Sequence, residues 1–246
     1  MGRTIVGGDI HGGFKGLKQC LGLCEFDYDN DTFIQIGDIT DGWSEVYECV
    51  EELMKIKNLI LIKGNHDSWL DEYLDGGSHG SQWTQGGEST RKSYMKVDEN
   101  GDLKLTIPTS HRKFFESQKL YYIDDKNRLF VHGGFNRRKH ILEETQPYMF
   151  YWDRDLWLEA LSYEGTKRGS DNVGKFKIVD DFSEIFIGHT PTINWGTDQP
   201  MKAANIWNID TGAAYTGRLT VMDVDTKEYW QSELLIKLYD GERGRN

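Results

Sequence analysis

Residues 58–67 have the sequence NLILIKGNHD, in which an aliphatic run is followed closely by glycine and three polar residues. Such a run predicts a buried strand over residues 58–62. Helical spacing over residues 14–23 and 44–56 precedes it, and alternation of strand and helix predicts an α/β fold. Four similar apolar runs, each ending at glycine or at a polar residue, begin at Thr4, Thr32, Leu129 and Ile185.

Other segments are less regular. Residues 94–107 and 121–131 predict hairpins, because turn residues interrupt two short apolar runs in each. Three runs over residues 206–210, 219–223 and 228–234 predict a terminal meander. The polar residues 240–246 are expected to fray.

The length favours one domain. A chain of 246 residues is near the upper size that a single hydrophobic core serves, so we predict one domain over residues 1–246. Two excursions from the core are expected at about residues 68–118 and 136–180.

The net charge and the hydropathy of the sequence limit the classes of partner that the protein is expected to bind. A net charge of −11 opposes extended contact with nucleic acid or with an anionic membrane. The four aliphatic residues 59–62 are far short of the ~18 that a membrane span requires. The first residues do not resemble a signal peptide, so a cytoplasmic location is expected. A bound metal still allows a small phosphate ester to bind inside an acidic protein.

Polar side chains of the metal-ligand type follow all five strand-like runs. In open α/β sheets such residues gather outside the carboxyl ends of the strands. Carboxylate, imidazole and amide donors without thiolate suit borderline or hard divalent ions, and six or more such donors favour two ions. The residues are Asp9, His11, Asp38, Asp41, Asn65, His66, His132 and His189.

The order of these motifs resembles that of the calcineurin-like metallophosphoesterases. It consists of Asp-x-His at 9–11, Gly-Asp-x-x-Asp at 37–41, Gly-Asn-His-Asp at 64–67, His-Gly-Gly at 132–134 and Gly-His-Thr at 188–190. Within that family the chain is most similar to the bacterial and phage branch of the phosphoprotein phosphatases, to which the symmetrical dinucleoside tetraphosphatases belong. The resemblance implies a two-layer mixed β-sheet sandwich flanked by helices.

The resemblance also implies a dinuclear metal centre. Its six ligands are expected to be Asp9, His11, Asp38, Asn65, His132 and His189. The first three hold one ion, and Asp38 bridges to a second ion held by the last three. Mn²⁺ is the expected metal, with iron and zinc as alternatives. In this family a hydroxide between the ions attacks phosphorus in line.

A proton donor is implied beside the metals. His66, oriented by Asp41, is expected to protonate the leaving oxygen, because an imidazole titrates near the working pH. A structural hydrogen bond between the two residues is the alternative interpretation.

The phosphate contacts depart from the family pattern. The phosphatases usually have arginine after Gly-Asp-x-x-Asp, where it binds phosphate through two hydrogen bonds, but this chain has Gly42. Arg154 matches a second phosphate-binding arginine, although an ion pair with Asp153 or Asp155 is an alternative. Arg91 is a candidate replacement for the missing side chain, and a solvated helix residue is the alternative there.

A phosphorylated substrate follows from this resemblance. We expect hydrolysis of phosphomonoesters, including phosphoserine and phosphothreonine in proteins, with dinucleoside polyphosphates or nucleotides as the alternative. A phosphoprotein-binding module with weak turnover is an alternative of another class, but a binder has no need of His66 as a proton donor. Pro191 stands where the cyclic-nucleotide phosphodiesterases usually have a second histidine, which disfavours that branch. Trp69 is expected either to pack against a helix or to stack on an aromatic group of the substrate.

Overall fold

The computed structural model describes residues 2–76, 83–167 and 181–245, which form two five-stranded sheets and one two-stranded sheet. In chain order the strands are β1 (Thr4–Gly7), β2 (Thr32–Gln35), β3 (Asn58–Leu61), β4 (Met95–Val97), β5 (Leu103–Leu105), β6 (Tyr121–Ile123), β7 (Arg128–Val131), β8 (Glu184–Ile187), β9 (Met201–Ala203), β10 (Ile206–Asn208), β11 (Thr220–Asp223) and β12 (Tyr229–Gln231). The α-helices are α1 (Phe14–Leu23), α2 (Val46–Leu53), α3 (Asn65–Leu74), α4 (Gly87–Ser93), α5 (Thr109–Glu116), α6 (Met149–Trp152), α7 (Asp155–Lys167) and α8 (Leu235–Leu238).

Both large sheets are mixed. The first has the order β12-β11-β1-β2-β3, in which β1, β2 and β3 are parallel and β11 pairs antiparallel with both β1 and β12. The second has the order β6-β7-β8-β10-β9, with β7, β8 and β10 parallel. The predicted α/β fold with mixed sheets is therefore confirmed.

The two sheets pack face to face. Val6 and Ile34 of the first sheet share one buried cluster with Phe130 and Phe186 of the second. The rings of Phe130 and Phe186 stack with their centroids 5.0 Å apart. Because strand side chains alternate, the residues next to these point outward and are covered by helices. Ile5, for example, belongs to a separate cluster with residues of α1 and α2.

The predicted terminal meander is wrong. Strand β10 lies in the second sheet, parallel to β8, whereas β11 and β12 complete the first sheet. The chain therefore crosses from one sheet to the other between residues 208 and 220. Apolar runs buried on both faces indicate that strands exist, but they do not indicate which neighbour each strand pairs with.

The predicted excursions contain regular structure of their own. Residues 68–118 include most of α3, helices α4 and α5, and a hairpin of β4 and β5 that turns at Gly101. The second excursion includes α6 and α7, and its residues 168–180 lie outside the described part of the chain. No helix within the described ranges is both long enough and apolar enough to cross a bilayer.

The expected fraying of residues 240–245 is also wrong. The Arg245 amide donates to the Ala214 carbonyl at 2.9 Å, and the Ser44 hydroxyl donates to Glu242 at 2.7 Å. These contacts hold the last described residues against the loops that follow β2 and β10.

Glu52 on α2 provides a test of stability away from the candidate site. Burial raises the pKa of this carboxyl, but hydrogen bonds from Lys18, Lys55 and Tyr28 outweigh burial and lower the pKa from 4.5 to about 2. Because the folded-state pKa is depressed, the stabilisation is present above about pH 4.5 and is lost as the pH falls toward 2.

Glu52→Gln is therefore expected to lower the free energy of unfolding at pH 7 by ~1–3 kcal/mol, since charged hydrogen bonds are lost. Urea unfolding measured between pH 2 and 7 checks this, and the variant should lose stability less steeply below pH 4.5. Glu48→Gln, at an exposed position of the same helix, is the matched control. Equal unfolding curves for Glu52→Gln and wild type at pH 7 would contradict the assignment.

Candidate active site

The candidate ligands lie at the carboxyl ends of parallel strands from both sheets. Asp9 and His11 follow β1, and Asp38 follows β2. His132 and His189 follow β7 and β8, and Asn65 begins α3, which starts four residues after the end of β3. All six are buried. The sandwich thus brings together residues that are as much as 180 positions apart.

Two groups of donor atoms share Asp38. The first consists of Asp9, His11 and Asp38, and the second of Asp38, His132 and His189; in each group the donor atoms lie within 4.8 Å of one another. The Asp38 Oδ2 atom is 3.6 Å from His11 Nε2 and 3.3 Å from His132 Nε2. Asn65 Oδ1 lies 3.2 Å from His132 Nε2, which adds the predicted amide donor to the second group.

The electrostatics of this cluster fit divalent cations. Burial raises the pKa of Asp9 to about 7, and that of the adjacent Asp210 to about 8. Burial lowers the pKa of His189, whose buried Nε2 has no hydrogen-bond partner among the described residues. Buried carboxylates and a vacant imidazole nitrogen are unfavourable without a positive charge between them. A divalent cation held by these residues would supply that charge.

The backbone around the ligands is strained. His11, Asp38, Asp41 and His189 have φ values of 51°, 50°, 64° and 68°, in the left-handed region that non-glycine residues rarely adopt. Each such residue costs about 1–3 kcal/mol and persists only where the surrounding structure enforces it. The strained positions coincide with three predicted ligands and with the predicted partner of His66, which supports a functional role for this cluster.

Position 64 requires glycine because its backbone lies very close to Asp38. A Cβ at this position would lie 2.1 Å from Asp38 Oδ1 and 2.2 Å from the Asp38 amide. Any larger residue would displace the carboxylate that both donor groups share. This contact explains the glycine before Asn65 and His66.

His66 and Asp41 form the predicted pair. His66 Nδ1 lies 2.8 Å from Asp41 Oδ2, and His66 Nε2 is buried without a hydrogen-bond partner within the described ranges. Asp41 also accepts from Trp83 Nε1 at 3.1 Å and from the Thr90 hydroxyl at 2.6 Å. Because Asp41 accepts hydrogen bonds from Trp83 and Thr90, it is also the acceptor in its contact with His66. The proton of that hydrogen bond is therefore on His66 Nδ1, which leaves Nε2 to exchange a proton with a ligand.

Burial governs the charge of this pair. It raises the pKa of Asp41 to about 7 and lowers the pKa of His66 well below 6.5. The negative charge of an arriving phosphate acts in the opposite direction on His66, since a nearby anion favours the imidazolium. Substrate binding and protonation of His66 are therefore coupled.

A cavity of about 350 Å³ opens onto the ligands. Among its lining residues are Asp9, His11 and His189, together with Arg154. The Arg154 side chain is exposed and has no hydrogen bond or ion pair within the described residues. After burial and the charge of His132, the positive charge of Arg154 lowers the pKa of His189 further.

The alternative ion pairs of Arg154 are not formed. Arg137 instead contacts Asp153 at 3.0 Å and Asp155 at 3.6 Å. The Arg154 side chain is consequently available to a ligand in the cavity.

The structure does not bring Arg91 into this cavity. The side chain lies on α4, where its Nη1 is 3.4 Å from Glu88 Oε2, and it is absent from the cavity lining. Arg91 is thus a partly solvated helix residue, which is the alternative that the sequence analysis gave to a phosphate contact.

Several residues of the site were not singled out by sequence reasoning. Asp210, Gln85 and Arg245 line the cavity, and Trp83 and Thr90 hold Asp41. Residues 83–94 and 208–212, which contain Trp83 and Asp210, resemble recurrent stretches of the phosphoprotein phosphatases, and this resemblance was a usable signal. Arg245 has no motif around it and is 203 positions from Gly42, so only the folded chain places it here.

An aromatic cleft adjoins the His66 side of the site. Trp69, Tyr148 and Trp152, with Gln85, line a cavity of about 580 Å³. The Trp69 ring meets His66 edge to face at 4.6 Å, and Trp152 lies 5.5 Å from Trp69. An aromatic group attached to the leaving oxygen would find ring surfaces there.

Comparison with known proteins identifies relatives of the chain. The family model for calcineurin-like phosphoesterases matches residues 2–192. "Serine/threonine-protein phosphatase 1" of Salmonella typhimurium is 23% identical over 88% of this chain and 89% of its own length. "Bis(5'-nucleosyl)-tetraphosphatase PrpE [asymmetrical]" of Anoxybacillus flavithermus is 26% identical over 87% of each chain.

A solved structure supports the same fold. The crystal structure of a metallophosphoesterase from Sphaerobacter thermophilus matches with a TM-score of 0.55 and 17% identity. The match covers 96% of this chain and 89% of that chain. At this identity the likeness concerns the fold alone.

Proposed function

The chain belongs to the calcineurin-like phosphoesterase family, and from that premise we propose that it hydrolyses phosphomonoesters, including phosphoserine and phosphothreonine in proteins, at a dinuclear metal centre. The observation that carries the proposal is the convergence of six buried donors on one centre beside the His66 and Asp41 pair. We place this activity in one cytoplasmic domain over residues 1–246.

The six ligands have distinct positions in this proposal. Asp9, His11 and Asp38 hold one ion, and Asp38 with Asn65, His132 and His189 holds the other. Two bound divalent ions lower the pKa of water and neutralise charge that develops on the phosphoryl group. Mn²⁺ is the proposed metal, because carboxylate, imidazole and amide oxygen donors suit it; iron and zinc are alternatives.

His66 transfers a proton to the leaving oxygen. Asp41 accepts the hydrogen bond from His66 Nδ1, so the ring presents Nε2 as the donor atom. The Asp41 carboxylate also stabilises the imidazolium that precedes the transfer. Trp83 and Thr90 fix the orientation of Asp41 and thereby that of His66.

Arg154 orients the phosphate. Its exposed guanidinium lines the cavity and provides paired N–H donors that match phosphate oxygens. The contact requires no rearrangement of an existing ion pair, because Arg137 already satisfies the neighbouring carboxylates.

Hydrolysis of dinucleoside polyphosphates is the second candidate. The aromatic cleft of Trp69, Tyr148 and Trp152 beside His66 favours it, since a nucleobase on the leaving group would stack there. The name of the Anoxybacillus relative agrees with this candidate. A binding module without turnover is disfavoured, because such a module gains nothing from an oriented His66.

A substrate panel in Mn²⁺ tests the proposal. We expect an aryl phosphate and a phosphoserine peptide to be hydrolysed with kcat/KM values at least about tenfold above those for a dinucleoside tetraphosphate and for a cyclic nucleotide. A tenfold ratio corresponds to ~1.4 kcal/mol of transition-state preference. Faster hydrolysis of the tetraphosphate would favour the second candidate, and phosphopeptide binding without hydrolysis would favour the module.

A further inference from the structure

Arg245 occupies the space next to the glycine that replaces the expected arginine. Gly42 has a φ of 135°, and a Cβ on it would lie 2.9 Å from the His11 carbonyl oxygen and 3.6 Å from Arg245 Cγ. A side chain at position 42 is therefore strained, and the room beside it is filled by another arginine. That arginine comes from a different part of the chain.

Arg245 is held in this position by three contacts. Its amide donates to the Ala214 carbonyl at 2.9 Å, and its Nη2 donates to Gln85 Oε1 at 2.8 Å. The guanidinium carbon lies 5.4 Å from the centroid of the Tyr215 ring. The preceding Glu242 accepts hydrogen bonds from the amide and the hydroxyl of Ser44, two residues after Gly42.

The guanidinium faces the candidate site. Arg245 lines the same cavity as Arg154 and shares it with Asp9, His11 and His189. Its Nε is buried and has no hydrogen-bond partner among the described residues.

We propose that Arg245 is the second phosphate-binding arginine of this chain and supplies, from the segment 240–245, the contact that position 42 lacks. The inference rests on the proposed phosphatase activity. Arg154 lines the same cavity, so two guanidinium groups then bind one phosphate. Each can donate paired, charge-assisted hydrogen bonds to the phosphate oxygens. Docking of residues 240–245 against Ser44 and Ala214 becomes a condition for tight phosphate binding.

The test compares Arg245→Ala, Arg245→Gln and Arg243→Ala in Mn²⁺-loaded protein. We expect both Arg245 variants to lose about 10- to 150-fold in kcat/KM for an aryl phosphate, as loss of a charged hydrogen bond predicts. The dissociation constant of orthophosphate, measured by calorimetry, should rise by a similar factor. Arg243→Ala, in the same segment, should match wild type, and metal content should be equal in all four proteins.

Other results overturn the inference. Unchanged kcat/KM and unchanged orthophosphate affinity in both Arg245 variants would make Arg245 a structural neighbour of the site. Increased activity in both Arg245 variants would mean that the Arg245 side chain obstructs access of the substrate to the site. An equal loss in Arg243→Ala would assign the effect to the segment 240–245 as a whole and not to the Arg245 guanidinium. Absence of hydrolysis by the wild type would instead refute the proposed phosphatase activity, and the orthophosphate titration would still test Arg245 separately.

Discussion

Asp38→Asn is expected to abolish phosphatase activity and to remove metal from the protein. The Asp38 carboxylate belongs to both donor groups, and its Oδ2 lies within 3.6 Å of His11 Nε2 and within 3.3 Å of His132 Nε2. Neutralising it weakens both ion sites at once, and the loss of metal-ion catalysis corresponds to about 10³-fold or more in kcat. Elemental analysis after dialysis and kinetics on an aryl phosphate measure the two effects.

Controls separate loss of metal from loss of fold. Chelation of the wild type should abolish hydrolysis, and added Mn²⁺ should restore it. Asp29→Asn, which neutralises an exposed carboxylate paired with Lys57, should retain both metal and activity. Full metal content in Asp38→Asn would show that Asp38 is not a bridging ligand, and full activity after chelation would refute the metal dependence itself.

The sequence predicted the family and most of the candidate site because both depend on local pattern. An apolar run followed by glycine and a ligand-type residue is readable wherever it occurs, as at residues 58–67. Parallel strands place their carboxyl ends at one edge, so Asp9 after β1 and Asp38 after β2 come together without further information. His132 follows β7 of the second sheet and reaches Asp38 only because the two sheets pack together. The family match confirms the predicted family and the mixed sheets confirm the predicted fold class, whereas the site residues and their roles stay predictions.

Contacts between distant segments could not be predicted in the same way. Strand β10 has two buried residues, Ile206 and Asn208, around the half-buried Trp207, and nothing in residues 206–210 shows that it joins β8 rather than β11. The placement of Arg245 depends on the Ala214 carbonyl and on Gln85, neither of which is distinctive in the sequence. A polar segment such as 240–245 gives no sign of its docking, because its contacts are hydrogen bonds to one particular surface.

The proposed role of Arg245 also accounts for a glycine with a strained backbone at position 42 of a phosphate site. Relatives that place arginine at this point need a backbone that accepts a side chain, but here φ is 135° and the His11 carbonyl is close. When Arg245 in the segment 240–245 provides the guanidinium, position 42 does not need a backbone conformation that accepts a side chain. Gly42→Arg is therefore not expected to raise phosphate affinity, because the new side chain meets both backbone strain and Arg245.

His66→Asn is expected to lower kcat in a way that depends on the leaving group. A seryl or alkyl oxygen leaves as a strong base and needs a proton, so loss of the donor should reduce its hydrolysis by ~10²- to 10⁴-fold. An aryl oxygen with a low pKa leaves without help, and its hydrolysis should fall much less. Steady-state kinetics on phosphoserine and on a nitrophenyl phosphate give the two ratios.

The unequal effect is what distinguishes proton transfer from a structural role of His66. The His66 amide donates to Asp38 Oδ1 at 2.9 Å, and this backbone contact remains in the variant, so metal content should stay near that of wild type. Asp41→Asn should give a smaller loss of the same kind, because the ring keeps its place but the uncharged amide no longer stabilises the imidazolium. Equal losses on the two substrates, or loss of metal, would mean that His66 supports the site rather than protonating the leaving oxygen. A loss confined to poor leaving groups would place the proton on Nε2, the atom that the structure leaves without a partner among the described residues.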